Sequence, residues 1–191
     1  MTMPVALSKY NLPVSEAPNL ESERLRLRAH RIEDFDASFA MWTDPEVYRA
    51  IVGEPSTRQQ SWSRLLTYAG LWKLLGFGYW VIEEKQSGLF IGEIGFANFQ
   101  RAIEPPIGLL PEAGWALASN AHDQGYATEA LKLILSWADT HMSEASTVCL
   151  MNPANVASMR VAKKCGYEFW RDGVFKNLPV TMMNRRRALT A

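Results

Sequence analysis

The chain has 191 residues, of which 48% are hydrophobic, 11% aromatic and 21% charged, ordinary globular proportions that exclude a disordered or fibrous protein. Its length supports one full-sized domain and is short for two. Twenty Lys and Arg residues balance twenty Asp and Glu, which argues against a uniformly basic surface for nucleic acid and against a polybasic membrane anchor.

Residues 1–19, with Pro4, Pro13 and Pro18, lack the basic-then-apolar order of a signal peptide and read as an N-terminal arm before a domain over 20–191. Leu25 and Leu27 alternate with Arg24, Arg26 and Arg28, which predicts a half-buried strand. Phe35, Phe39 and Trp42 recur at helical spacing, and Asp44-Pro45 ends that helix. Thr57 and Gln60 make a capping box for a second helix, with Trp62, Leu65, Leu66, Ala69 and Trp72 as its apolar stripe and Gly76 as its end. Residues 79–83 and 90–96 are strand-like around the turn Lys85-Gln86-Ser87-Gly88, which predicts a hairpin.

Pro105, Pro106 and Pro111 mark a loop. A strand over 114–117, a helix over 127–141 and a strand over 147–150 then form one βαβ unit, with a right-handed crossover expected. That helix carries Ala127, Ala130, Leu131, Ile134 and Ala138 on one face. Asn155 opens a last helix that ends at Gly166, and strands over 167–170 and 180–184 finish the chain. The fold class is α/β: a mixed, mostly antiparallel twisted sheet of about seven strands flanked by about four helices.

Cys149 and Cys165 form no CxxC pair, and His30, His122 and His141 are scattered, so neither a disulfide scaffold nor a metal site is expected. Both cysteines read as small buried hydrophobes. No segment is apolar for long enough to cross a bilayer, and the expected location is the cytoplasm.

The most informative stretch is His122-Asp123-Gln124-Gly125-Tyr126-Ala127-Thr128-Glu129-Ala130, between a strand and an amphipathic helix. Gly125 permits a turn that other residues resist, and the free N–H groups of the first helical turn form an anion site. A second helix start follows the next strand, with Asn155 as N-cap and Ser158 at the third helical position. Two adjacent helix starts, each after a strand, suit a ligand with several phosphates.

These segments, with Glu112-Ala113-Gly114-Trp115-Ala116-Leu117, the stretch Lys163-Lys164-Cys165-Gly166-Tyr167 and the opening Leu20-Glu21-Ser22-Glu23-Arg24-Leu25-Arg26-Leu27-Arg28, resemble the GNAT superfamily of N-acetyltransferases. The nearest branch is the Rim-type ribosomal-protein alanine N-acetyltransferases. The resemblance implies acetyl-CoA as cosubstrate, no metal, and transfer to a primary amine, either a small molecule or a protein N-terminus, by a monomer or homodimer.

It also implies roles. Backbone N–H groups of Gln124, Gly125, Tyr126, Ala127 and Thr128 would hold the CoA pyrophosphate. Trp115, Ala116 and Leu117 would run beside pantetheine and polarise the thioester carbonyl. Asn155 and Ser158 would reach the pantetheine arm and the sulfur, and Lys163 the nucleotide end. Glu112 would be the base, its pKa raised by burial beside Trp115, with water or Glu93 as alternatives; Glu93 is expected to face solvent. Ser158 would assist the departing thiolate.

Two departures from the family pattern, Asp123 in the loop and Ala162 where many members carry a tyrosine acid, keep open an acyl-CoA-binding sensor or assembly module. Trp42, Trp62 and Trp72 are expected in core or interface packing, with the acceptor cleft as the alternative. Residues 155–191 hold eight bases and two acids, whereas residues 1–154 hold twelve bases and eighteen acids. That division fits an anionic cosubstrate near the last helix and a cationic acceptor elsewhere.

Overall fold

The computed structural model describes residues 15–187. Most of the expected N-terminal arm therefore lies outside the described residues. Its last part is tied down: Ala17 packs on the core, and the Trp80 indole donates to the Pro18 carbonyl at 2.8 Å.

Nine strands form one sheet in the order β1-β2-β3-β4-β6-β7-β9-β8-β5 among the described residues. They are β1 (Leu20–Glu21), β2 (Leu25–Arg28), β3 (Tyr79–Glu84), β4 (Phe90–Ala97), β5 (Ile103–Glu104), β6 (Glu112–Leu117), β7 (Ser146–Met151), β8 (Glu168–Phe175) and β9 (Leu178–Arg186). Five α-helices accompany them: α1 (Phe35–Thr43), α2 (Pro45–Ile51), α3 (Arg58–Leu75), α4 (Tyr126–His141) and α5 (Val156–Lys164). Every strand pairing is antiparallel except β6 with β7, the two strands of the βαβ unit.

The additions to the sequence reading are small elements with little periodicity. β1 and β5 have two residues each, too short to alternate visibly. Asp44-Pro45 does end α1, yet the same pair starts α2: the Asp44 carboxylate caps the Glu46 N–H at 2.9 Å, and Pro45 takes the first helical position, where its missing N–H costs nothing.

Two sequence readings are corrected. Arg28, expected on the exposed face of its strand, is buried, with two guanidinium nitrogens on Asp34 at 2.8 Å each and the third on Glu83 at 2.9 Å. The buried face of α3 consists of Ser61, Leu65, Tyr68, Leu71 and Trp72, while Trp62, Leu66 and Ala69 face outward. Apolar residues surround this helix, so periodicity could not fix its phase. Its termini follow the sequence: Thr57 and Gln60 cap each other's backbone N–H at 3.2 and 2.7 Å, and Gly76 stops it at φ 74°.

The main core lies between the sheet and α4. Leu25, Leu27, Ile82, Ile94, Phe96, Ala130, Leu131 and Ile134 are fully buried there. Trp72, Trp80 and Trp137 meet edge to face with centroids 4.6 to 5.3 Å apart. Trp72 is thus core, as expected. The opposite face, under α1–α3, holds two smaller clusters around Trp42 and around Tyr68 and Tyr79, and with them most of the buried polar groups that matter below.

Candidate active site

The parallel pair β6–β7 is bonded at one register position only, Glu112↔Val148. On its other side β6 is paired to β4 along its whole length, from Ala97↔Glu112 to Gly92↔Leu117. Beyond Glu112, therefore, β6 and β7 part. Backbone groups along a strand alternate in side. The Ala118 N–H, just past β6, donates to Ile91 of β4, and the Val148 N–H of β7 donates to Pro111. Even positions of β6 therefore address β4, and Ala113, Trp115 and Leu117 address the gap. The Leu117 carbonyl meets the His122 imidazole at 2.9 Å. Among the described residues the Trp115 N–H and carbonyl and the Leu117 N–H are left as a free strand edge, able to bind an extended amide chain as an added strand would.

At the open end of this gap lies the start of α4. Gly125, at φ 81°, turns the chain into the helix, and an added Cβ there would come within 3.6 Å of the Arg24 guanidinium. Among the described residues the N–H groups of 124–128 meet no acceptor; the first bond of the helix is from Glu129 to Gly125. Five consecutive free donors at a helix start make an anion cradle. Arg24 braces it, donating to the Gln124 carbonyl at 3.0 Å, lying 4.4 Å over the Tyr126 ring and pairing with Glu129 at 2.6 Å. The Tyr126 hydroxyl is bonded to Glu84. Sequence reading missed Arg24, because its partners lie about a hundred residues away.

The second helix start is used internally. Asn155 Oδ1 accepts from the Ser158 N–H at 3.0 Å, and Nδ2 donates to the Ala50 carbonyl of α2 at 3.0 Å. Asn155 caps α5 as expected and also ties it to α2. Ser158 is half-buried, and Lys163 is exposed in the last turn of α5. Near them, the Cys165 thiol contacts the Thr128 carbonyl at 3.7 Å, joining the end of α5 to the cradle.

Glu112 sits at the vertex of the gap, 7% exposed, with Arg101 Nε on its Oε2 at 2.9 Å. Burial pushes its carboxyl up, and Arg101 offsets part of that rise. The Arg101 guanidinium lies 4.4 Å over Phe99 and 5.2 Å over Phe175, which fixes the carboxylate through one oxygen and leaves Oε1 for other work. The expected source of burial is corrected. Residues three apart on a strand point to opposite faces, so Trp115 packs on the main core while Glu112 faces Tyr79 and Arg101.

Glu93, expected in solvent, is 1% exposed. Ser38 and the Trp42 indole donate to its two oxygens at 2.7 and 2.8 Å, and His30 Nε2 lies 3.4 Å away. Burial would raise its pKa, but the imidazole and these two donors outweigh burial and hold the carboxyl below its ordinary value. Alternation along β4 hid this, because α1 covers the face that the pattern left to water. Trp42 thus serves a buried carboxylate, while Trp62 is 39% exposed against Phe35, with centroids 5.2 Å apart.

A hollow of about 470 Å³ between α4, the end of α5 and Arg185 contains none of the strand-gap residues. Among the described residues no group of three or more His, Cys, Asp or Glu could hold a metal ion, and no helix is long and apolar enough to cross a membrane. Both cysteines are buried, and burial pushes both thiols up.

Comparison with known proteins gives the family and the fold. The acetyltransferase (GNAT) domain profile matches residues 24–168. The chain is 28% identical over 163 residues to the uncharacterized N-acetyltransferase YoaA of Bacillus subtilis (strain 168), covering 83% of this chain and 86% of that one. An acetyltransferase structure from Agrobacterium tumefaciens superimposes with a TM-score of 0.77 at 26% identity, covering 90% and 95% of the two chains. RimL, a ribosomal L7/L12 α-N-protein acetyltransferase in complex with coenzyme A, shares the fold with a TM-score of 0.72 at 15% identity, over 88% of this chain and 98% of that one. With a half-open strand pair, a free donor cradle and a matching profile over most of its length, the chain belongs to the GNAT family of acetyl-CoA-dependent acetyltransferases.

Proposed function

We propose that the chain acetylates a primary amine by direct attack in a ternary complex, with Glu112 as base. The observation that carries this is the vertex of the β6–β7 gap, where a buried carboxylate with a raised pKa adjoins an open edge of β6.

The residues fit the cosubstrate. The free N–H groups of 124–128 suit a pyrophosphate, the open edge at Trp115 and Leu117 suits the amides of pantetheine, with Ala116 keeping that edge paired to β4, and exposed Lys163 suits the nucleotide end. When bound, acetyl-CoA supplies an activated thioester carbonyl. A molecule anchored at the cradle and laid along β6 carries its far end toward Glu112. The Trp115 N–H then faces the place where carbonyl charge develops. Arg101 holds Glu112 by Oε2, and Oε1 takes the proton of the attacking amine, directly or through water. Ser158 lies at the α5 start, where its hydroxyl can assist the sulfur.

Glu93 is a structural anion rather than the base: both of its oxygens are occupied by Ser38 and Trp42. The acceptor is a small-molecule amine or a protein N-terminus. Calorimetry with acetyl-CoA, followed by a thiol-release screen over alanyl peptides, polyamines and an aminoglycoside, tests the proposal. Binding together with release for one of these amines is the expected result. Binding without release would point to an acyl-CoA sensor, and no binding would overturn the reading.

A further inference from the structure

Tyr79, the first residue of β3, has its ring held in place on both sides. One side lies across β4 and β6 where both strands carry glycine: a Cβ added at Gly95 would sit 2.7 Å from the Tyr79 Cγ, and one added at Gly114 would overlap the Tyr79 hydroxyl and lie 3.3 Å from Cζ. The other side is covered by Tyr68, stacked at 4.1 Å and 2°. The Tyr79 carbonyl is held by the Trp72 indole at 3.0 Å. The residue as a whole is 6% exposed. Its hydroxyl hangs over Gly114, two residues from Glu112, at the point where β6 leaves β7.

The geometry points to Tyr79 as the hydrogen-bond donor to the departing sulfur of the thioester. This rests on the acetyl-transfer reading above and adds to it a donor for the sulfur besides Ser158. The Trp115 N–H addresses the gap within the plane of the sheet, whereas the phenol addresses the same spot from the α1–α3 face. One group thus serves the carbonyl oxygen and the other the sulfur. In the step, the amine nitrogen forms the new C–N bond as the C–S bond breaks. The amine's proton passes to Glu112, and the electron pair of the broken bond stays on sulfur. Tyr79 keeps its own proton and shares it with the thiolate as a charge-assisted hydrogen bond. The charged groups facing the phenol are Glu112 and Glu93, which favour its protonated form together with burial, and Arg101 and Arg64, which oppose them. The glycine at 114 is explained as well, because a side chain there would displace the phenol; at 95 a Cβ would first meet backbone, the Gly78 carbonyl oxygen and the Tyr79 Cα.

The titration needs no acceptor; the turnover measurement uses an amine that the release screen identifies. CoA is bound to the protein and its thiol titrated by thiolate absorbance in the wild type, Tyr79→Phe and Ser158→Ala. Tyr79→Phe keeps the ring, so thermal melting and CoA affinity should stay close to wild type. The bound thiol should titrate about one pH unit higher without the phenol hydroxyl, and kcat should fall about 10- to 100-fold with the KM for acetyl-CoA unchanged. If Tyr79→Phe does not fold, Gly114→Ala, which pushes the hydroxyl away, should raise the thiol titration in the same way. A thiol that titrates alike in wild type and variant, or that responds to Ser158→Ala alone, overturns the inference and leaves the acetyl-transfer reading intact. Failure of the wild type to bind CoA overturns both.

Discussion

Glu93 and Glu112 are buried on the same face of the sheet, on neighbouring strands, and their surroundings push them in opposite directions. Glu93 has Ser38 and Trp42 on its two oxygens and His30 beside it, and it is held ionised. Among the described residues Glu112 has Arg101 alone, on one oxygen, and its carboxyl is raised by burial. The lesson is that burial by itself does not make a carboxylate reactive. What matters is whether donors satisfy both oxygens. A fully satisfied carboxylate holds α1 to the sheet; a half-satisfied one, set at the vertex of an open strand pair, has a lone pair left for a substrate proton.

Substitutions should separate the two. Glu112→Gln should lower kcat by about 10²- to 10⁴-fold with acetyl-CoA affinity and melting temperature near wild type, as read by stopped thiol-release assays and calorimetry. Glu93→Ala should do the reverse. It leaves His30, Ser38 and Trp42 facing a hole and should cost about 3–5 kcal/mol of stability in urea unfolding, with turnover of the folded fraction much less affected. Because the Glu93 carboxyl is depressed in the folded state, its contribution is present above its unfolded value, near 4.5, and is lost as pH falls below that. Glu93→Gln should therefore flatten the fall in stability between about pH 5 and pH 3.

A milder change sharpens the contrast from the other side. Arg101→Gln removes the group that lowers Glu112, so the acidic limb of the pH–rate profile should move to higher pH and the rate below neutrality should drop several-fold, about 3- to 10-fold. The smallest effect is expected at the second helix start. Asn155→Ala removes the cap on Ser158 and the tie to Ala50, and should cost about 1 kcal/mol in thermal melts.

The chain's own pattern reveals some of this and conceals the rest. The hairpin β3–β4, the βαβ unit and both helix caps are local, set by alternation, glycines and capping side chains a few residues apart. Gly125 and the free donors after it are legible for the same reason. The surroundings of Glu93, Arg24 and Tyr79 are not local. Glu93 looks exposed because its strand alternates, and only the docking of α1 buries it. Arg24 reads as one of three surface arginines until the loop at 124–128 folds against it. Tyr79 reads as the start of a strand, and its position over Gly114 depends on how β3, β4 and β6 align.

The pH dependence of kcat for wild type and Glu112→Gln, at saturating acetyl-CoA, tests the central claim most directly. The account predicts an acidic limb in the wild type centred above the ordinary carboxylate value of 4.5 and absent from Glu112→Gln, whose residual rate should be flat across that range. The same limb in both proteins would contradict it and assign the proton of the amine to another group.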